Sequence, residues 1–223
     1  MTPTYVGDNL TSNVVAVGAA YQATGYYLAG VLAGEMTKTN ATGVIIGQWF
    51  AALSFEFYAF RAGVHSVNPS ALVYLTVPGT WADPSIGFQN AQTMINTNHV
   101  DIIVPIADAT GRGVIAAATV ANISIIGTVQ DQVELAPNNM MTSVLLNTTA
   151  FMQMVIQHIQ AGTFSQIGGQ VINMNLGSLA PFHYYDNVIP PSVKTLLTQT
   201  AEGINNGTIQ VPFIYTQNPP STP

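Results

Sequence analysis

The chain has 223 residues, enough for one large domain or two small ones, and 48% of them are hydrophobic, which suffices for a core. Only 6% are charged, and the four basic residues are too few to neutralise nucleic-acid phosphates, so no nucleic-acid partner is expected. The absence of cysteine excludes disulfides and thiolate metal sites. Because the chain has only ten carboxylates, we expect its stability to change little between neutral pH and about pH 3.

Strand-length apolar runs alternate with helical patterns along most of the chain. The first helical stretch, residues 25–40, is apolar, but its uninterrupted apolar part falls short of the roughly 20 residues that a membrane span needs. We expect a helix whose small residues let it lie close against a sheet. The other predicted elements are strands at 13–19, 43–47, 71–77, 100–106, 123–127, 141–147 and 170–176, and helices at 53–66, 84–96, 111–121, 148–161 and 191–206.

Continuous apolar strands separated by helices are typical of a parallel sheet that is covered on both faces, so the predicted fold class is α/β. In such a sheet, ligands meet the loops that follow the carboxyl ends of the strands. Aromatic side chains and carboxylates both occur in these loops, a combination that suits a flat, hydroxylated ligand. The candidate ligand-binding residues are Trp49, Trp81, Asp108, Thr110 and Asp131.

Each candidate also has a purely structural interpretation. The tryptophans could cap the sheet edge, Asp108 precedes a helix in a turn where aspartate is common, and Asp131 could form a hinge hydrogen bond. Asp83, which is followed by proline, is expected to cap a helix. Arg112 is expected to pair with Asp108 or Glu134.

The sequence favours a binding protein over an enzyme, because it contains no recognisable catalytic constellation, and we expect neither a metal nor a cofactor. The four histidines lie on separate predicted elements, which argues against a metal cluster. Five N-x-Ser/Thr sequons are candidate glycosylation sites, although an Asn- and Thr-rich chain would contain about three by chance. They begin at Asn9, Asn40, Asn122, Asn147 and Asn206.

Six segments of the sequence follow one another in a recognisable order and spacing: YYLAGVLAGEMTKTNATGVIIG, FRAGVHSVNP, GTWADPSIG, VDIIVPIADATGRGV, IIGTVQDQ and MTSVLLN. They resemble the BMP (basic membrane protein) family of solute-binding lipoproteins, which are similar to type I periplasmic binding proteins. The resemblance covers residues 13–213, almost the whole chain.

The resemblance implies two α/β lobes that close over a ligand at a hinge. It implies binding of a purine nucleoside and delivery of that nucleoside to the membrane subunits of an ABC-type importer. The location would be extracellular or at the cell surface, with an anchor in a segment outside this chain. In the family, the stretch at 25–40 is the first helix of the second lobe.

The sequence departs from the family at its site motifs. Residues 47–49 read Gly-Gln-Trp where the family often has Gly-Gly-Met, and residues 108–111 read Asp-Ala-Thr-Gly where the family has Gly-Gly-Thr-Gly. The position of the family's ribose-binding aspartate is Val129, and the position of a strand lysine is Leu146.

The resemblance also divides the chain into parts. Helix 148–161 is apolar around much of its circumference, so it needs cover from the missing first lobe or from another protein chain. The expected parts are the end of the first lobe or hinge at 1–12, the second lobe at 13–135, a crossover belonging to the first lobe at 136–180, a return to the second lobe at 181–213 and a proline-rich tail at 214–223.

Two alternatives to a solute-binding module remain at this point. The runner-up is a structural or assembly protein at the cell surface that reuses this half-fold without transport. An enzyme is third. A closed site holding a ligand would distinguish the first from the second, in which neighbouring copies would bury the apolar surface.

Overall fold

The computed structural model describes residues 10–18 and 22–220, apart from the side chain of residue 51. The helices of this part are α1 (Ala23–Met36), α2 (Ala51–Val67), α3 (Pro84–Asn98), α4 (Asp108–Val120), α5 (Thr148–Gln160) and α6 (Pro191–Asn205). The strands are β1 (Ala16–Val17), β2 (Ala41–Ile46), β3 (Leu72–Thr76), β4 (Ile102–Ile106), β5 (Ser124–Gly127), β6 (Met140–Leu146), β7 (Val171–Ile172) and β8 (Gly177–Leu179).

Six of these strands form one sheet in the order β3-β2-β4-β5-β6-β8. The first five in that order run parallel, and β8 pairs antiparallel with β6. The predicted α/β fold is therefore confirmed. The sequence pattern missed β8, because Gly-Ser-Leu is too short and too polar to be read as a strand.

The strand side chains alternate between two hydrophobic cores. One core lies between the sheet and helices α1, α2 and α6, and includes Ile46 and Val104. The other lies between the sheet and helices α3 and α4, and includes Ile45 and Ile103. Because both faces are covered, the central strands are apolar at consecutive positions.

Helix α1 packs against α2 as well as against the sheet. A Cβ atom at Gly30 would overlap the backbone of α2, and a Cβ atom at Gly63 would overlap the backbone of α1. The expected role of small residues at the sheet holds for Gly25, which faces β6 and β8, whereas Gly30 and Gly34 face α2. Among the residues that the structure describes, no helix combines the length and the apolarity that crossing a bilayer requires.

Two segments, 10–18 and 147–176, lie away from the main sheet. Within the described ranges, β1 pairs with β7 alone, in a separate two-stranded parallel sheet. No residue of α5 is buried, and Met152, Ile156 and Ile159 are 53%, 47% and 59% exposed. At the two ends of the range 136–180 expected for the crossover, β6 and β8 pair within the main sheet, and the division of the chain into lobes stays a prediction.

The carboxylate of Asp101, the residue immediately before β4, bonds to the segment that follows α1. Asp101 accepts hydrogen bonds from the Thr37 hydroxyl at 2.7 Å and from the backbone N–H groups of Lys38 and Thr39 at 2.6 and 3.0 Å. The backbone N–H groups of Lys38 and Thr39 would lose these hydrogen bonds if the carboxylate were removed.

We expect Asp101→Ala to lower the free energy of unfolding by about 1–3 kcal/mol, because it removes three hydrogen bonds to one acceptor group. Urea denaturation measures this change. The control is Asp186→Ala, which breaks an exposed ion pair with Lys194 and should cost less than about 1 kcal/mol. Equal losses in the two variants would contradict the assigned role of Asp101.

Candidate ligand-binding site

Two adjacent cavities open at the carboxyl edge of the parallel strands. The smaller, here called the Trp81 cavity, has a volume of about 190 Å³. The larger, here called the Arg112 cavity, has a volume of about 460 Å³. They share a wall made by Asp108, Thr128 and Val129.

The Trp81 cavity has an aromatic rim and a polar, buried end. Trp81 and the exposed Phe50 line it, with ring centroids 6.2 Å apart. Its buried lining residues include Gln22, Tyr26 and Glu56, which are 6%, 0% and 8% exposed. Lysine, arginine and histidine do not occur among its lining residues.

Trp81 is held in place by its neighbours on the sheet edge. Its indole Nε1 donates to Gln48 Oε1 at 3.0 Å, and Gln48 Nε2 donates in turn to the carbonyl oxygen of Gly79 at 2.8 Å. A Cβ atom at Gly47 would fall within the indole ring's contact distance, at 2.5 Å from Cε3. Glycine at position 47 is therefore what lets the ring lie flat against the end of β2.

Trp49 contacts the C-terminal segment of the chain. Its Nε1 donates to the carbonyl oxygen of Thr216 at 3.2 Å, and its ring meets Phe57 edge-on at 6.2 Å. Ser54 Oγ donates to the carbonyl oxygen of Ile214 at 2.9 Å, beside it. Trp49 lines neither cavity and instead contacts the C-terminal segment.

Burial strongly perturbs the titration of Glu56. Desolvation by burial raises its pKa from 4.5 to about 8, and the side-chain hydrogen bond with Tyr26 opposes this shift. Gln22 Oε1 is buried beside the same cavity and has no hydrogen-bond partner in the described part of the chain. The buried end of the cavity thus contains a carboxyl group that is neutral below about pH 8 and a carbonyl oxygen without a donor.

The shared wall is conformationally strained. Asp108 and Val129 have φ angles of 46° and 70°, in the left-handed region that is uncommon for non-glycine residues and costly for a β-branched one. The backbone N–H of Leu146 donates to the carbonyl oxygen of Val129 at 2.9 Å. The two positions where the chain departs from the family's charged residues are therefore neighbours in space.

Thr110 lies beneath the site edge. It is fully buried, its hydroxyl donates to the carbonyl oxygen of Thr80 at 3.0 Å, and it accepts from the Asp83 N–H at 2.9 Å. Asp83 caps α3 by accepting from the N–H groups of Ser85 and Ile86, which confirms the expected N-cap. Thr110 thus connects the start of α3 to the start of α4.

Asp131 lines the Arg112 cavity together with Asp108, Arg112 and Glu134. Its Oδ2 lies 2.6 Å from Nε2 of His183, and its Oδ1 accepts from the N–H of Val133 at 3.2 Å. Within the described residues, Arg112 forms no ion pair with Asp108 or Glu134, so the expected pairing was wrong. Asp108 is the one candidate that borders both cavities.

The candidate residues did not include Gln22, Tyr26 and Glu56, which line the buried end of the Trp81 cavity. Glu56 was not singled out from the sequence, and the structure shows it buried. The signal was present, because Glu56 is the only acidic residue of α2 and has aromatic residues on both sides in the sequence. The burial of Glu56 could not be inferred without knowing that Gln22 and Tyr26 pack beside it.

Four of the five sequons lie within the described residues and are exposed, and Asn9 lies outside them. Their side-chain amide oxygens accept hydrogen bonds at turns or helix ends, as in Asn147 to the N–H of Ala150 and Asn206 to the N–H of Thr208. Glycosylation of these residues stays a prediction.

Comparison with known proteins places this architecture in a family. Residues 4–178 match the family model Bmp, described as ABC transporter substrate-binding protein PnrA-like. Basic membrane protein D of Borreliella burgdorferi (strain JD1) is 30% identical over 201 residues, which are 84% of this chain and 56% of that protein. The chain thus spans just over half the length of this relative.

Solved structures of solute-binding proteins share the fold. The ABC transporter solute-binding protein of Aeropyrum pernix K1 superposes with a TM-score of 0.74 at 17% identity, over 86% of this chain and 65% of that one. The corresponding protein of Conexibacter woesei DSM 14684 gives 0.71 at 21% identity, over 88% of this chain and 65% of that one. The family match and the α/β architecture agree, and the chain belongs to the Bmp family of PnrA-like ABC transporter substrate-binding proteins.

Proposed function

We propose that this chain is the larger part of an extracellular solute-binding protein, which binds a small uncharged solute and delivers it to membrane importer subunits. Purine nucleosides are the first solutes to test. The observation that carries the proposal is the Trp81 cavity, an aromatic-rimmed pocket at the carboxyl edge of the parallel sheet of a substrate-binding family member. Ligands of open α/β sheets bind at this edge.

The ligand contacts that we propose are Trp81 and Asp108, both of which line this cavity. Trp81 offers an aromatic face, and Asp108 offers carboxylate acceptors at the exposed side of the pocket. Asp131 is a further proposed contact for a ligand that extends into the Arg112 cavity. Trp49 and Thr110 would support the site from outside it, through the C-terminal segment and the start of α3.

We expect adenosine, guanosine or inosine to quench tryptophan emission, and Trp81→Ala to weaken binding by about 1–3 kcal/mol, because stacking on the indole is lost. Isothermal titration calorimetry on the full-length protein measures the affinity of the wild type and of Trp81→Ala for each nucleoside. No heat and no quenching with any of the three compounds would contradict the nucleoside assignment.

Trp49→Phe is the matched control for this measurement. It removes the hydrogen bond to Thr216 and leaves the lining of both cavities intact. We expect it to leave the affinity within about twofold, which is less than 0.5 kcal/mol. A larger loss of affinity would indicate that Trp49 contacts the ligand.

We further propose that residues 10–18 and 147–176 belong to a first lobe, and that the remaining described residues form the second lobe. Their two-stranded sheet, β1 with β7, has no other strand beside it among the described residues. A sheet of two strands is marginal by itself, and α5 beside it buries no residue. Further strands and helices of that lobe would supply the missing cover, and solute would bind where the two lobes meet.

The 223-residue chain by itself is expected to associate in solution through α5, because large exposed apolar patches are rare on soluble monomers. Light scattering should show species larger than the 23.6 kDa monomer. The triple variant Met152→Gln, Ile156→Gln, Ile159→Gln should shift the distribution to monomer, because these are the exposed apolar residues of α5.

The matched control substitutes three exposed polar residues of α3, as Gln89→Ala, Gln92→Ala and Thr93→Ala. It should leave association unchanged, because it removes no apolar surface. A wild-type chain that is monomeric and melts cooperatively would contradict the proposed need for cover.

A further inference from the structure

The buried end of the Trp81 cavity is lined by polar side chains, one of which has an unsatisfied hydrogen-bond acceptor. Gln22 is the residue immediately before α1, and its Oε1 lies buried without a donor in the described part of the chain. Glu56 comes from α2, and its side chain bonds to Tyr26 of α1. All three residues line the same cavity. A buried acceptor without a donor is unfavourable, and a ligand N–H or O–H group reaching it would relieve that cost.

The charges around this cavity define the kind of group that can enter. Among the described residues, the titratable ones that line this cavity with Glu56 are Tyr26 and Asp108, and none of the lining side chains is cationic. An anionic ligand group would therefore be desolvated without a counter-charge and would face the carboxylate of Asp108. A neutral carboxyl group at Glu56 instead offers one O–H donor together with acceptor oxygens. The buried end is complementary to an uncharged group that both donates and accepts.

The size of the cavity limits how much of a ligand this end can hold. Its volume of about 190 Å³ is below the roughly 300–1,000 Å³ of pockets that enclose a whole drug-sized ligand. One hydroxylated or amide-bearing end of a solute fits, and the aromatic rim of Trp81 and Phe50 would contact the part that remains outside.

We infer that Gln22 and Glu56 form a subsite for the uncharged, hydrogen-bonding end of the solute, and that this subsite excludes phosphorylated and carboxylated ligands. This inference rests on the proposed solute-binding function. It adds a specificity: because Trp81 at the rim stacks on the base, the sugar hydroxyls enter the buried end, and a 5′-monophosphate would bring its charge there.

The test compares affinities of the full-length protein by calorimetry, using adenosine, guanosine and inosine with their 5′-monophosphates. Gln22→Met keeps the side-chain volume and removes its hydrogen bonds, and Glu56→Leu does the same for the carboxyl group. Each should weaken nucleoside binding about tenfold or more, as expected for the loss of a buried hydrogen bond. The monophosphates should bind at least about tenfold more weakly than the nucleosides.

Two further variants separate a binding role from a merely structural one. Glu56→Gln, which keeps a neutral donor and acceptor, should recover most of the affinity lost in Glu56→Leu. Gln89→Met, on the exposed surface of α3, makes the same chemical change as Gln22→Met away from the cavity and should leave the affinity unchanged. Thermal melts of all four variants identify any that fail to fold.

The outcomes are distinguishable. Nucleoside binding that depends on Trp81 but ignores Gln22→Met and Glu56→Leu overturns the subsite and leaves the proposed function standing. A monophosphate that binds as tightly as its nucleoside overturns the charge argument. Silence with all six compounds overturns the proposed nucleoside function, and the subsite with it.

Discussion

The folded chain is expected to lose stability as the pH is raised from about 5 to about 9, and the cause is Glu56. Its pKa is raised from 4.5 to about 8 by desolvation, so between these values the folded state binds a proton that the unfolded state has released. The free energy of unfolding should then fall by about 1.4 kcal/mol for each pH unit within that window. The total change is on the order of 5 kcal/mol, fully favourable to folding below pH 4.5 and lost as the pH passes about 8.

Urea denaturation at a series of pH values measures this slope, and Glu56→Gln isolates its source. The amide stays uncharged at every pH, so the variant should show a nearly flat profile and should exceed the wild type in stability at pH values above about 8. Glu35→Gln is the control, because Glu35 lies exposed on α1 and its loss should leave the slope unchanged. A slope that persists in Glu56→Gln would assign the proton to another group.

The pH dependence of Glu56 replaces the expectation from composition. Ten carboxylates led to the expectation that stability changes little between neutral pH and about pH 3. That expectation treated every carboxylate as an ordinary group with a normal or depressed pKa. A buried carboxyl group acts in the opposite direction, since acidification removes the cost of its charge. We therefore expect the stability to rise on moving from pH 8 to pH 5.

Gly30→Val is expected to lower the free energy of unfolding by about 3 kcal/mol or more. Intrinsic helix propensity alone favours replacing glycine within a helix, by up to roughly 1 kcal/mol for alanine. Packing decides otherwise here, because a Cβ atom at Gly30 would overlap the carbonyl oxygen of Phe60 on α2. Backbone cannot yield as a flexible side chain does, so the two helices would have to separate.

Urea denaturation of Gly30→Ala and Gly30→Val should show increasing losses as the side chain grows. Gly111→Ala is the matched control, because the nearest atom to its added Cβ would be the carbonyl oxygen of Pro105 at 3.3 Å. That spacing is tight but does not overlap, so the control should change stability by less than about 1 kcal/mol. A Gly30→Ala variant as stable as the wild type would show that the contact between α1 and α2 can relax.

The order and type of the main elements could be predicted from the sequence, because they depend on local pattern. The continuous apolar runs of β2 and β4 required cover on both faces, and that requirement alone predicts a parallel sheet between helix layers. The same topology predicted that Trp81 and Asp108 would approach each other, since loops after parallel strands meet at one edge. Asp83 followed by proline was sufficient to predict a helix start.

Tertiary packing decided which residues of that edge face a cavity. Trp49 and Trp81 follow neighbouring strands and look equivalent in sequence, yet Trp49 lies against the C-terminal segment, 167 positions away along the chain. Glu56 is a buried group because its side chain packs beside α1, where it bonds to Tyr26. Desolvation, hydrogen-bond partners and close backbone approach depend on residues that are distant in sequence, so local patterns determined the fold of this chain while long-range contacts determined the chemistry of its site.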